Sequence, residues 1–198
     1  PKFFHPDPTV KRQSGFLMPE FGNSNNLGSS VYTPYFFVIS DNKDLTIKPR
    51  LFDNNKFLLQ NEYKQKTKNS LTIADFSFIQ GHDSSDYDKG GSRSHLFTNT
   101  IIDLSLENYN SSILKINYQK ASNDNYLKLF SLESSIYPLL NNDALESLIS
   151  LDLSHKNYDL TSSFEMYETL KGSNSDRYEY VLPSYDFSKN FNIENVNG

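Results

Sequence analysis

Apolar and polar residues alternate along most of this chain. Between Leu96 and Glu107, one set of alternate positions reads Leu96, Thr98, Thr100, Ile102, Leu104, Leu106; the other reads Phe97, Asn99, Ile101, Asp103, Ser105, Glu107. A period of two over that length predicts a β-strand with one apolar and one mostly polar face. Thr72, Ala74, Phe76 and Phe78 likewise oppose Asp75 and Ser77, and Leu114, Ile116 and Tyr118 oppose Lys115, Asn117 and Gln119. Tyr158, Leu160, Ser162, Phe164 and Met166 oppose Asp159, Thr161, Ser163 and Glu165. Residues 145–153 alternate less cleanly, because Leu148 interrupts the polar side. Adding residues 57–64, the two runs around Pro34 and Pro49, and a start at Tyr178 gives roughly nine strands. Residues 125–132 fit a helical period as well as a strand.

Polar clusters separate these runs, as hairpin turns require. Examples are Asp53-Asn54-Asn55-Lys56, Glu107-Asn108-Tyr109-Asn110 and Ser154-His155-Lys156-Asn157. Two connections, residues 81–94 and 121–143, are much longer. The expected fold is all-β: an antiparallel up-and-down sheet forming part of a transmembrane β-barrel. A soluble or secreted β-sandwich that serves as a binding module would also alternate. Strands of about 9–11 residues favour the barrel, and so do apolar positions that include Thr, Ala, Tyr and Met.

Composition sharpens this picture. The 198 residues carry a net charge of −5 and a mean hydropathy of −0.60, which alone would suggest disorder, but 13 Tyr and 15 Phe speak against it. An acidic chain without a Lys/Arg run is a poor nucleic-acid binder. With no Cys there is no disulfide framework or thiolate metal site. The chain opens on Pro1 and ends on Gly198, and we read it as a stretch of a longer protein.

The most informative stretch is residues 31–52. Two β-prone runs flank Ser40-Asp41-Asn42-Lys43. A two-residue turn at Asp41-Asn42 pairs residues whose numbers sum to 83, which sets Pro34 opposite Pro49. Proline has no N–H to give a ladder, so facing prolines predict a weak patch, unless either lies on an edge strand.

Around this hairpin the chain resembles the barrel start of the LPS-assembly protein (LptD/OstA) family. The residues concerned are Lys11-Arg12-Gln13-Ser14-Gly15-Phe16-Leu17-Met18-Pro19, Gly28, Pro34-Tyr35-Phe36-Phe37 and Asp44-Leu45-Thr46-Ile47-Lys48-Pro49. Residues 58–64 and 176–183 are similar to later strands of that family. The resemblance implies an outer-membrane translocon in which lipopolysaccharide passes from a periplasmic bridge protein (LptA-type) through a β-jellyroll into a large barrel plugged by an LptE-type lipoprotein. The lipid then leaves sideways between the first and last strands. Pro34 and Pro49 match the prolines that loosen this lateral gate. On this basis residues 1–28 are the end of the jellyroll and its linker, and residues 29–198 are the N-terminal part of the barrel. Characterised members pair cysteines between the two domains, and this chain has none. A generic porin stays open as an alternative. By parity, the two long connections fall on the side from which the chain enters the barrel, although long loops are usually extracellular.

No catalytic or cofactor motif emerges. His5, His82, His95 and His155 lack metal-ligand spacing and read as surface or loop residues. The carboxylates of Asp83, Asp86 and Asp88 lack a calcium-loop register, and Lys89 intrudes. No Ser/His pair stands out as a hydrolase site, and Asp103 and Glu107 suit a wet lumen.

Overall fold

A computed structural model describes residues 12–24, 27–53, 56–82, 91–137, 143–171 and 177–189. These residues form one antiparallel sheet with short strands at its start: β1 (Gly15–Phe16), β2 (Glu20–Ser24), β3 (Gly28–Tyr32) and β4 (Tyr35–Ser40). Eight long strands follow in sequential order: β5 (Lys43–Phe52), β6 (Phe57–Lys66), β7 (Ser70–His82), β8 (Gly91–Asp103), β9 (Ser111–Ala121), β10 (Ala144–His155), β11 (Tyr158–Thr169) and β12 (Tyr178–Lys189). A single helical turn, α1 (Tyr126–Leu129), lies between β9 and β10. The expected all-β, up-and-down architecture is therefore present. The long strands number 10 to 13 residues each, enough to cross a bilayer at a tilt. No helix among the described residues is long and apolar enough to cross a membrane.

Register separates two faces. Gln60, Ser77, His95 and Ala121 form one cross-strand row, and Glu62, Asp75, Phe97 and Gln119 form the next. On the other face, Tyr63, Ala74, Thr98 and Tyr118 align, as do Thr72, Thr100, Ile116, Ile149 and Phe164. Phe76, Phe78, Leu96, Tyr118, Ile149 and Phe164 on this second face are exposed. A contiguous exposed apolar face of this size has no place in water. In a two-layer sandwich the apolar face would instead be buried against a second sheet.

The core sits on the polar face. Residues 122–137 fold back over it, and Tyr126, Leu127, Phe130, Leu132 and Tyr137 bury against Phe52, Leu58, Ile79, Phe97, Ala121, Leu145 and Leu170. Asn123 starts the turn by accepting the Asn125 N–H on its side chain (3.0 Å). The helix ends in a Schellman arrangement: Ser131 donates to the Lys128 carbonyl (3.2 Å) and Leu132 to the Leu127 carbonyl (3.0 Å). Ser131 takes the left-handed position at φ 47°, where glycine is usual.

Several expectations need correction. β8 stops at Asp103: the Asp103 side chain accepts the Ser105 N–H (2.8 Å), and Ser105 turns to φ 49°, so the alternation to Glu107 runs past the strand. The connection placed at 81–94 is shorter, because β7 reaches His82 and β8 begins at Gly91. Asp83, Asp86, Asp88 and Lys89 lie outside the described residues, as do His5, Asn54, Asn55 and residues 1–11. β1, β2 and β3 add short strands ahead of the nine expected. The turn at Asp41-Asn42 is present, and the chain reaches β4 at the end of the sheet that carries the long connections.

Candidate lateral seam and its lining

Proline geometry defines the seam at the start of the sheet. β4 pairs with β5 as Tyr35 with Ile47 and Phe36 with Thr46, partners whose numbers sum to 82. A bulge between Val38 and Ser40 restores 83 at the turn. The extra residue, Ile39, shifts the rest of the hairpin by one place. Pro34 and Pro49 therefore do not face each other. They are offset by one residue and point to opposite faces.

Each proline weakens a different neighbour. The Pro49 carbonyl accepts the Thr33 N–H (3.3 Å), so Pro49 turns its backbone toward the β3–β4 strand. The reciprocal bond of that pair is missing, because Pro49 has no N–H. Pro34 turns the other way, and its carbonyl accepts the Leu17 N–H (2.8 Å) from the outermost strand. That pair also keeps one bond of two. Thr33 and Pro34 interrupt the strand between β3 and β4, and residues 17–19 interrupt the one between β1 and β2. Pro19, Pro34 and Pro49, fifteen residues apart, thus mark one level across three adjacent strands.

Beneath this line the inner face holds residues 122–137 through a polar network. Tyr126 Oη lies 2.6 Å from Ser77 Oγ, Ser77 Oγ 2.6 Å from His95 Nδ1, and His95 Nε2 3.2 Å from Asp75 Oδ1. One hydrogen-bond arrangement satisfies all four: Tyr126 donates to Ser77, Ser77 to His95 Nδ1, and His95 Nε2–H to the Asp75 carboxylate. Gln60 donates to Asp75 (3.2 Å) and to the Glu133 carbonyl (2.7 Å). Arg50 donates to the Phe130 carbonyl (2.8 Å) and Ser30 Oγ (3.0 Å) and lies over the Phe52 ring. Ser135 donates to Glu62 (2.6 Å). Burial pushes the Tyr126 phenol up to about 12.

His95 is therefore a buried wall residue, contrary to its reading as a surface or loop residue. It meets a serine and an aspartate that the sequence did not single out as a set. The trio resembles a hydrolase triad only in composition: Ser77 is 2% exposed and its oxygen is already engaged by Tyr126. Its chemistry here is attachment of the inserted segment to the wall. At the other end of that segment, Lys128 and Lys171 each approach Asp143 at 2.5 Å and hold its carboxyl below the usual carboxylate range. Arg177 bridges Asp124 (2.6 Å) and buried Glu168 (2.8 Å).

A single up-and-down sheet with an apolar outer face, a polar inner face and an inward-folded segment is part of a β-barrel wall. Among curated proteins, the chain is similar to LPS-assembly protein LptD of Pseudomonas aeruginosa (33% identity over 37% of this chain) and of Cupriavidus pinatubonensis (43% over 28%). It is also similar to LptD of Pectobacterium atrosepticum (25% over 90% of this chain). The matched stretches are 8%, 7% and 22% of those proteins, so the chain spans about a quarter or less of their length. No protein-family model matches the chain.

Proposed function

We propose that this chain is the N-terminal part of the barrel of an LptD-type translocon, a non-enzymatic conduit that inserts lipopolysaccharide into the outer leaflet of a Gram-negative outer membrane. The observation that carries this reading is the proline line, which thins the ladder beside the first strand of a barrel wall similar in sequence to LptD. Lipopolysaccharide carries acyl chains and a polar saccharide. The apolar face is suited to the former and the polar face to the latter. Pro34 and Pro49 are the gate residues, acting on two adjacent seams. In this reading residues 1–28 end a periplasmic jellyroll and its linker, residues 29–198 belong to the barrel, and the end bearing residues 122–137 faces the periplasm. An LptA-type bridge protein delivers the substrate, and an LptE-type lipoprotein occupies lumen left open by residues 122–137.

The test replaces both prolines in the full-length protein with threonine, which can donate to a ladder. Each restored bond contributes about 0.5–1.5 kcal/mol, so P34T/P49T should assemble normally yet export less lipopolysaccharide to the surface. Unchanged export with normal assembly would remove the gate role from this hairpin.

A further inference from the structure

We propose that the outer face of β9–β12 holds one phospholipid, its acyl chain in an apolar dent over Ser147 and its phosphate at the Lys120 ammonium. This rests on the barrel-wall reading and involves neither the proline line nor lipopolysaccharide. The height of the wall sets the level of both ends of such a molecule. On the outer face of β11, Tyr158 and Glu168 are ten positions apart. Ten residues at about 3.4 Å each, tilted by about 40°, rise roughly 26 Å, close to the roughly 25 Å apolar band of a barrel. Aromatic rings mark both levels, as they do at membrane interfaces. Tyr158 stacks on His155 (4.7 Å) and lies against Phe187 (5.8 Å), and Tyr178 stacks on Tyr180 (6.4 Å). Between these levels the outer-facing positions within 114–118, 147–153, 160–166 and 180–187 carry no charge.

The dent has a local cause. The β9–β10 ladder ends at the Asn117–Leu148 pair. Beyond it Ser147 Oγ accepts the Gln119 N–H (3.2 Å) and Gln119 Oε1 accepts the Glu146 N–H (2.9 Å), so side chains replace backbone partners. On the far side, the β11–β12 register shifts between Ser163 and Glu165, where Leu182 and Pro183 bulge and Pro183 brings no N–H. Ile116, Tyr118, Ile149, Phe164 and Met166 stand around Ser147, the small residue among them, and leave a dent of 310 Å³. One row nearer the end that carries residues 122–137, Lys120 donates to Glu168 (2.8 Å) and to Tyr178 Oη (2.9 Å). The Glu168 side chain is covered, at 1% exposed, while that of Lys120 keeps 41% of its surface. A headgroup at the mouth of the dent therefore meets an ammonium and not a carboxylate. Charge on a lipid-facing strand is costly at the bilayer midplane and nearly free at the interface, which is the level of Glu168 on β11. An acyl chain thus finds an apolar trough inside the band, and a phosphate finds a cation at its edge. A second copy of the wall seated here would instead bury the Lys120 charge.

The experiment uses the full-length protein with its lipoprotein partner in vesicles of phosphatidylethanolamine with a minor share of phosphatidylglycerol. A trace of phosphatidylethanolamine carrying a diazirine in one acyl chain is photolysed, and adducts are mapped by peptide mass. Diazirine-tailed diacylglycerol, which has no phosphate, should label the dent about fivefold less, the contribution of one cation near a membrane surface. Adducts of the phospholipid at Ile149 and Met166 should exceed those at Phe76 and Leu96, on the outer face of β7 and β8, by a similar factor. Ser147→Phe, which fills the dent, should remove that excess in a normally assembled barrel. Adducts spread evenly over β7–β11, an equal yield with diacylglycerol, or displacement of the probe by added lipopolysaccharide would each overturn the site. An assembled S147F barrel that keeps the excess would do the same. Failure of the barrel-wall reading gives a different pattern, with no outer-face strand labelled at all.

Discussion

Replacing Phe130 with alanine removes one of the buried residues that join the inserted segment to the wall. Phe130 is 1% exposed and packs edge-on against Phe52 (5.9 Å) and Tyr126 (5.3 Å). Truncating a buried Phe costs about 3–5 kcal/mol when the site cannot collapse. Here the loss falls on docking, because the strands beneath keep their own ladders. At about 1.4 kcal/mol per factor of ten, exchange protection of amides in residues 126–132 should fall by roughly two to three and a half powers of ten. If docking is worth less than that, protection vanishes altogether. The assay is hydrogen–deuterium exchange of the protein in detergent, comparing F130A with the parent. Protection in β7 and β8 should change little. Unchanged protection in residues 126–132, or an equal loss across β7 and β8, would refute the idea of a separately docked segment.

Three further outcomes follow from local geometry. Ser131→Gly should raise protection of the same segment, because the left-handed conformation costs a non-glycine residue about 1–2 kcal/mol. Gly28→Ala should lower thermal stability by a similar amount or more, since Gly28 has φ 72° and an added Cβ would press into the Asp53 carboxylate. Asp143 sets a pH window: its folded pKa lies below the ordinary value of about 3.9, so its contribution is complete above that value and is lost as pH falls through the lower one. Protection near residue 143, taken relative to the intrinsic amide exchange rate at each pH, should therefore be flat from neutral pH to about 5 and fall only below about 4; D143N should remove this acid-dependent step.

Much of the wall was legible because β-sheet physics is local and periodic. Thr72–Phe78 and Tyr158–Met166 alternate since one side meets an apolar medium and the other a polar interior, and Asp41-Asn42 and Lys156-Asn157 turn where expected. What stayed hidden depends on contacts distant in sequence. Ile39 looks like any strand residue, yet its bulge moves Pro34 out of register with Pro49. His95 occupies a polar position in an alternating strand, and only the arrival of Tyr126, 31 positions on, buries it. Residues 125–132 left helix and strand equally open because a one-turn helix capped by Ser131 is held by docking rather than propensity. The pairing of β1 was obscured by its two-residue length and by Pro19.

The central claim is that lipopolysaccharide leaves sideways past the first strand of this wall. A photoreactive amino acid placed at Phe37, on the outer face of β4, tests it in living cells expressing the full-length protein; the same substitution at Phe164 in β11 serves as the remote outer-face control. A light-dependent lipopolysaccharide adduct that depends on continuing export is expected at Phe37, and little or none at Phe164. No adduct at Phe37, or equal adducts at both positions, would contradict it.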